Sequence, residues 1–265
     1  MAILKNTTID DTGYFKLSTG TTAQRPASPQ QGYARYNLTT QKFEFANSSN
    51  SWVTLGNSFP VKRGLTVLLD GNSWDTTNNN WRDISGNGNN TTNTTGTINV
   101  GTYAGSGAGS TKTFRYIYGN TSAGIRIANG WNGGGNYTFL HITRYTGGAR
   151  ERIWTGVTGN WLSGFHGGGS GKFFHEGWMS SSSTDYHGND WILTLDQNTF
   201  ARTNRGANTF ASGGNFSPAS IGINGGAGWT GELSDWACAF VAVFNRNLTS
   251  DEYTSVENWM YDRYF

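Results

Sequence analysis

The sequence predicts an all-β protein, a jelly-roll β-sandwich closed by a short C-terminal helix and preceded by a small β-meander. Three observations carry this. The first is the run Asp235–Phe244 (DWACAFVAVF), the longest apolar stretch of the chain, β-branched and aromatic, with no Gly or Pro. A strand covered on one face alternates apolar and polar residues; this run is apolar on both, so each face needs a cover. Strict alternation puts Trp236, Cys238, Phe240, Ala242 and Phe244 on one side and Ala237, Ala239, Val241 and Val243 on the other. The second is the segment that follows. Thr249-Ser-Asp-Glu252 is a capping-box pattern, and Tyr253, Val256 and Met260 come after it at helical spacing, so a short amphipathic helix covers one face and a sheet the other. The third is a succession of short β-prone segments separated by turn residues, in a chain of 265 residues with 38 Gly and only 4 Pro.

Hydrophobic content is 35% and charged content 14%, a balance that by itself admits disorder. The 11 Trp, 12 Tyr and 15 Phe argue for a packed core instead. The net charge of +2 and the lack of a basic run make nucleic acid an unexpected partner. The apolar run is too short to cross a bilayer as a helix, so no membrane insertion is expected. The single cysteine, Cys238, excludes an intramolecular disulfide and a cysteine zinc site. The first ten residues, MAILKNTTID, have no apolar h-region, so no signal peptide is expected. Asn-x-Ser/Thr triplets at Asn47, Asn90 and Asn136 then read as by-products of an Asn/Thr-rich composition.

In chain order, residues 1–59 differ from the rest. Gly13–Leu17 is a short strand candidate. An extended arm follows over 19–32, with two of the four prolines, Pro26 and Pro29. Tyr33–Asn37, Lys42–Ala46 and Trp52–Leu55 form a three-stranded meander, too small to bury much core alone. Residues 57–60 read as a linker, and 60–265 as the large sandwich. Its first strand is Gly64–Asp70. Trp81 anchors the turn-rich stretch 81–90, and 91–111 reads as a long loop with a weak strand. Further strand candidates are Phe114–Tyr118, Gly124–Ala128, Asn136–Tyr145, Glu151–Trp154, Asn160–His166, Gly171–Met179, Asp190–Leu195, Thr199–Thr203 and Ala219–Ile223.

Two resemblances join this reading. The stretch TGTTAQRPASPQQGYARYNLTTQKFEFANSSNSWVTLG, with its Thr19-Gly-Thr-Thr-x-x-Arg-Pro26 arm, Gly32-x-x-Arg-Tyr-Asn37 strand and closing Trp52-x-x-Leu-Gly56, resembles a β-meander module of tail-fibre and other structural proteins of tailed bacteriophages, marine cyanophages in particular. The segments LTVLLDGNSW, WRDISGNGNN and GELSDWACAFVAVFNRNLTSDEYTSVENWM, with ERIWTGVTGNWLSGFHGG between them, resemble the concanavalin A-like lectin/glucanase domain of laminin-G-like type, over roughly residues 64–265. The second resemblance implies the sandwich fold strongly. It implies function weakly, because that fold hosts lectins, glycosidases and purely structural domains.

The chemistry of particular residues narrows the choice. A retaining glycosidase needs two carboxyls about 5 Å apart. The Glu-x-Asp-x-(x)-Glu strand pattern of the related glucanases is absent, and Glu232 and Asp235, three apart, face opposite ways on a regular strand. His166 and His175 flank a glycine-rich hairpin tip, with Glu176 and His187 nearby. They lack tight ligand spacing, so polar hairpin positions are the preferred reading over a metal site. No Ser nucleophile elbow or phosphate loop is present. The lectin-like resemblance implies Ca²⁺ at a loop rim, where Asp70, Asp75, Asp83 and Asp185 lie at loop edges. No spacing selects among them, and solvated turn aspartates are the default; no other cofactor is expected. Sugar binding needs an aromatic platform beside amides and hydroxyls. Trp131, Trp161, Trp178, Tyr186 and Trp229 lie by Gly/Asn/Ser-rich loops, and the candidate carbohydrate-binding set is Trp131, Trp161, His166, His175, Trp178 and Tyr186.

The resulting expectation is a non-enzymatic virion structural protein, fibre or fibre-like, assembled in the host cytoplasm. Residues 1–59 attach it to other virion proteins or form a homotrimer, and residues 60–265 display a lectin-like domain toward host surface glycans. The alternatives are a capsid decoration or cement protein with a purely structural role, and an enzyme acting on polysaccharide.

Overall fold

The computed structural model describes residues 17–39, 42–54, 59–131, 135–180, 188–207, 209–210, 216–224 and 231–265. The strand expected at Gly13–Leu17 lies largely outside them. The chain divides into two compact units with the boundary between Pro60 and Val61.

The first unit is a four-stranded sheet in the order β1 (Thr19–Gly20), β2 (Ala34–Asn37), β3 (Lys42–Ala46) and β4 (Trp52–Thr54). β1 runs parallel to β2, and the rest is the expected antiparallel meander. Its buried side is polar. Arg35, Asn37 and Glu44 are all buried, and Glu44 sits at the centre. It accepts from Arg25 Nη2 at 2.6 Å and from Asn37 Nδ2 at 3.0 Å. Arg35 lies 3.3 Å from the same carboxylate and ties down the arm by donating to the carbonyls of Thr21 and Gln24, each at 3.0 Å. Hydrogen bonding from Arg25, helped by Asn37 and opposed by burial, holds the Glu44 carboxyl below its ordinary range. The arm's Arg-Pro and the strand's Arg-Tyr-Asn are thus halves of one polar cluster.

The second unit is an all-β sandwich with one C-terminal helix. In chain order it contains β5 (Leu65–Asp70), β6 (Trp74–Asp75), β7 (Asn80–Trp81), β8 (Thr92–Thr95), β9 (Asn99–Ala104), β10 (Thr113–Gly119), β11 (Gly124–Ile127), β12 (Thr138–Arg150) and β13 (Trp154–Gly156). Then come β14 (Trp161–His166), β15 (Gly169–His175), β16 (Ile192–Gln197), β17 (Phe200–Thr203), β18 (Thr209–Phe210), β19 (Ile221–Ile223), β20 (Ser234–Phe244) and helix α1 (Ser250–Tyr264). The larger sheet has the order β18-β17-β16-β12-β20-β10-β9, with β5 also paired to β20; the smaller is β15-β14-β13-β19-β11-β8. The stretch 91–111, expected to be mostly loop, contributes both β8 and β9. β9 is a half-exposed edge strand with few large apolar residues, so its pattern is weak.

β20 is central, as its two apolar faces require. β12 pairs along one side; β10 and β5 share the other. Its faces are not those of strict alternation. Ile142 opposes Phe240 and Thr143 opposes Cys238, so Ala239 is an extra residue, a β-bulge. Past it the parity flips. Trp236, Cys238, Val241 and Val243 all face the core between the sheets, while Phe240 meets Trp259 and Tyr264 of α1 at 5.5 and 5.7 Å. Burial pushes the Cys238 thiol up to about 12.

Helix α1 begins with the expected capping box. Thr249 Oγ1 accepts from Glu252 N, and Glu252 returns the bond to Thr249 N at 3.0 Å. Hydrogen bonding from Arg246, reinforced by the Thr249 backbone, lowers the Glu252 carboxyl to about 2. Val256, Met260 and Tyr264 are buried, whereas Tyr253 is half-buried against Phe200. Glu257 is buried too, and its carboxylate pairs with Arg202 of β17. Among the described residues no helix is long and apolar enough to cross a membrane.

Candidate functional site

The β14–β15 hairpin organises the site. Gly167 and Gly168 both have positive φ, 57° and 82°, and His166 pairs directly with Gly169. This is a two-residue turn of the kind that only glycine, asparagine or aspartate adopts readily. The tip is therefore tighter than the expected five-residue glycine run, and it fixes which side chains point in and which point out.

Three residues expected at a sugar site point in. Trp161 and His175 are cross-strand partners with no exposed surface, stacked at 5.7 Å. Trp161 Nε1 donates to Tyr137 Oη at 3.0 Å, and Tyr137 donates to Asp196 Oδ1 at 3.2 Å. Trp131 is 8% exposed and packs on Tyr137 and Trp161, with ring centres 4.7 and 5.5 Å away. Strand parity turns Trp161 and His175 toward the larger sheet, and Trp131, which lies on no strand, is buried against Trp161 there, so no sugar reaches these rings. Trp131, Trp161 and His175 are core residues. Tyr186, like Asp185 and Trp229, lies outside the described residues.

His166 and Trp178 come together on the outer side. Trp178 is 43% exposed. Its ring meets His166 edge-on at 5.6 Å and Phe174 at 5.2 Å. His166 Nε2 is 3.6 Å from Glu232 Oε1, and the other oxygen of Glu232 accepts from Arg152 Nε. Arg152 Nη1 donates to Asn160 Oδ1 at 2.6 Å. The Asn160 backbone N–H in turn donates to Glu176 Oε1 at 2.6 Å, and Glu176 N returns a bond to the Asn160 carbonyl at 2.9 Å. Glu176 has φ +57°, an uncommon conformation for a residue with a side chain. The paired bonds to Asn160 hold it there, ending β15 and carrying the chain back to Trp178.

The electrostatics follow from these contacts. Burial opposes ionisation of Glu232, but Arg152 and then His166 outweigh it and keep the carboxyl below its usual range. The surface thus presents an indole, an imidazole edge and an ionised carboxylate, with the buried Arg152 guanidinium behind it. An aromatic face packs on the C–H side of a sugar ring, while the polar atoms exchange hydrogen bonds with its hydroxyls. Arg152 and Asn160 were not among the sequence candidates, and Glu232 was weighed only as half of an acid pair. Arg152 and Glu232 are 80 residues apart, so no local pattern joins them.

The metal and acid-pair readings take definite form. His166 faces outward and His175 inward, so the two cannot share an ion. Asp83 spends its oxygens on the backbone N–H groups of Leu68, Ser85 and Asn89, each at 2.9 Å. Asp70 accepts from Asn72 and from the Tyr264 hydroxyl. Asp75 closes a turn at Thr77 and Asn78. Among the described residues no three His, Cys, Asp or Glu side chains cluster as a metal site. Asp235 Oδ2 accepts from Ala149 N at 3.1 Å while Glu232 is held by Arg152, so the two serve separate contacts.

No family model matches the sequence, and no curated protein matches it. Solved structures do. The binding domain of Paraclostridial Mosquitocidal Protein 1 superposes with a TM-score of 0.48 at 14% identity, over 75% of this chain and 52% of that one. The receptor-binding domain of botulinum neurotoxin C/D mosaic serotype gives 0.49 at 12% identity, over 75% and 52%. The ligand-binding domain of botulinum neurotoxin serotype D, solved with N-acetylneuraminic acid, gives 0.44 at 11% identity, over 75% and 51%. The chain spans about half the length of each of these structures.

Proposed function

We propose that this chain is a non-enzymatic structural protein of a bacteriophage virion whose β-sandwich binds host surface glycans. The observation that carries the glycan reading is the exposed Trp178 indole set edge-on to His166, beside the Glu232–Arg152 pair. Support for the virion part comes from the resemblance of residues 19–56 to the fibre meander module. The structure adds that the motif residues of that stretch, Arg25, Arg35 and Asn37, converge on Glu44. In this reading the first unit joins other virion proteins or further copies of the chain, as a homotrimer, and the second faces the host. The non-enzymatic part is supported by the separate engagements of Glu232 and Asp235.

The test is binding of the full chain to polysaccharide prepared from host cell surfaces, with the Trp178→Ala variant alongside. Loss of the aromatic platform is expected to weaken binding by about tenfold or more. An unchanged near-ultraviolet circular dichroism spectrum, apart from the one missing indole, would show that the fold is kept. Equal binding by the two chains would remove Trp178 from the function and the reading with it.

A further inference from the structure

Away from the hairpin, two clefts of the second unit share a wall. One, of about 510 Å³, is lined by Trp74, Asp75, Arg82 and Ile84 together with Asp70 and Asn72. The other, of about 400 Å³, shares Asp70 and Asn72 and is lined by Thr113, Phe114, Arg115 and Arg263. The local sequence builds the junction. β5 ends at Asp70, whose carboxylate accepts from Asn72 N at 2.8 Å and closes a turn over Gly71–Ser73. Gly71 lies flat on β10: a Cβ there would sit 1.9 Å from the Arg115 carbonyl oxygen. From the other side Tyr264 donates to Asp70 Oδ2 at 2.8 Å, which brings Arg263 of α1 to the same place. Arg82 therefore lines one cleft, and Arg115 and Arg263 line the other, on the two sides of the Asp70–Asn72 wall.

The donors and acceptors of this pair of clefts are unevenly used. The carboxylates of Asp70 and Asp75 are occupied by Asn72, Tyr264, Thr77 and Asn78. Among the described residues Arg82, Arg115 and Arg263 form no ion pair with any carboxylate; Arg263 lies over the Trp259 ring at 4.9 Å. A guanidinium offers a planar fork that matches a carboxylate or sulfate. Trp74 and Ile84 supply an apolar wall beside Arg82, and Asn72 and Thr113 supply groups for hydroxyls.

We infer that this pair of clefts is a binding site for an acidic saccharide, one whose sugar rings carry carboxylate or sulfate groups. A ring face lies on Trp74, and the anionic groups are taken by Arg82 and Arg115. A phosphodiester chain suits it less well, because two carboxylates, Asp70 and Asp75, stand in the walls. The site is separate from the Trp178 surface and does not depend on it.

The experiment measures binding of the full chain to dextran sulfate, polygalacturonate, uncharged dextran and duplex DNA. Arg82 and Arg115 are exposed, so the double variant Arg82→Ala/Arg115→Ala is expected to fold. One or both acidic polysaccharides should bind and uncharged dextran should not; which of the two binds distinguishes sulfate from carboxylate. The double variant should bind about tenfold more weakly or worse. The variant Arg82→Lys/Arg115→Lys keeps the charge and loses the fork, so it should also bind more weakly. Full retention by the lysine variant would mean diffuse attraction and overturn the site. So would failure of both acidic polymers to bind, an unaffected alanine variant, or DNA binding as tight and as sensitive to these substitutions.

Discussion

His175 Nε2 and Asp196 Oδ1 lie 3.1 Å apart with neither side chain exposed, and they belong to opposite sheets. β15 supplies the histidine and β16 the aspartate, so this polar contact crosses the interior of the sandwich. Tyr137 and Trp161 complete it. A buried pair is costly to break from one side, since the remaining group stays desolvated without its partner. Asp196→Ala is expected to destabilise the chain by about 3–5 kcal/mol. The double variant His175→Phe/Asp196→Leu should recover a large part of that. Denaturant unfolding of the single and double variants checks both statements; equal losses in the two would mean that the pair is not coupled.

His141 gives a pH dependence with a definite sign. Burial lowers its pKa from 6.5 to about 3, so the folded chain holds the imidazole neutral. Below pH 6.5 the unfolded chain takes up a proton that the folded chain does not, and stability falls as the pH drops toward 3. Above pH 6.5 both states are neutral there and the contribution to the slope is nil. His141→Gln should flatten the stability profile by up to about 1.4 kcal/mol per pH unit in this range. The range from pH 6.5 to 4.5 is the cleanest, because Glu44 and Glu252, both held below the ordinary carboxylate value of 4.5, add their own acid-side losses lower down. Comparing the two profiles by thermal unfolding at several pH values is the measurement.

What the sequence showed and what it hid have physical causes. The two apolar faces of Asp235–Phe244, the capping box at Thr249 and Glu252, and the meander of residues 33–54 are local patterns, and local patterns survive folding. The bulge at Ala239 left no such trace, since it is set by the register of β12 against β20. The candidate site shows the same divide. His166 and Trp178 were legible as aromatic and polar residues near a glycine hairpin. Trp161 and His175 looked alike in sequence, but cross-strand pairing turned them inward. Arg152 and Glu232 meet only through the tertiary fold.

Gly71 is predicted to be irreplaceable for a reason unrelated to φ. A Cβ at this position would lie 1.9 Å from the carbonyl oxygen and 2.3 Å from the carbonyl carbon of Arg115. Both are backbone atoms of a paired strand, so no side-chain rotation relieves the clash. Gly71→Ala should cost about 1–3 kcal/mol and lower the melting temperature accordingly. Gly86→Ala is an instructive comparison. Its φ is +95° and the space around it is open, so only backbone strain is at stake there. A larger loss at Gly71 than at Gly86 is expected, and the reverse order would place the constraint in the torsion angle instead of the packing.

Glu44 tests whether the first unit is held by its polar centre. Its side chain is buried between Arg25 and Arg35, and among the buried residues of β1–β4 the one apolar side chain is Ala46. A sheet with so little apolar interior depends on the carboxylate to orient the arm and to balance the buried Arg35. Glu44→Gln keeps the shape and removes the charge, leaving that guanidinium without its counter-ion at a cost of about 3 kcal/mol. Hydrogen exchange should then show protection lost at the paired amides of β2 and β3, while the amides of β20 in the second unit stay protected as before. If β2 and β3 keep their protection, the meander draws its stability from elsewhere, and the convergence of its motif residues on Glu44 serves some end other than holding the strands.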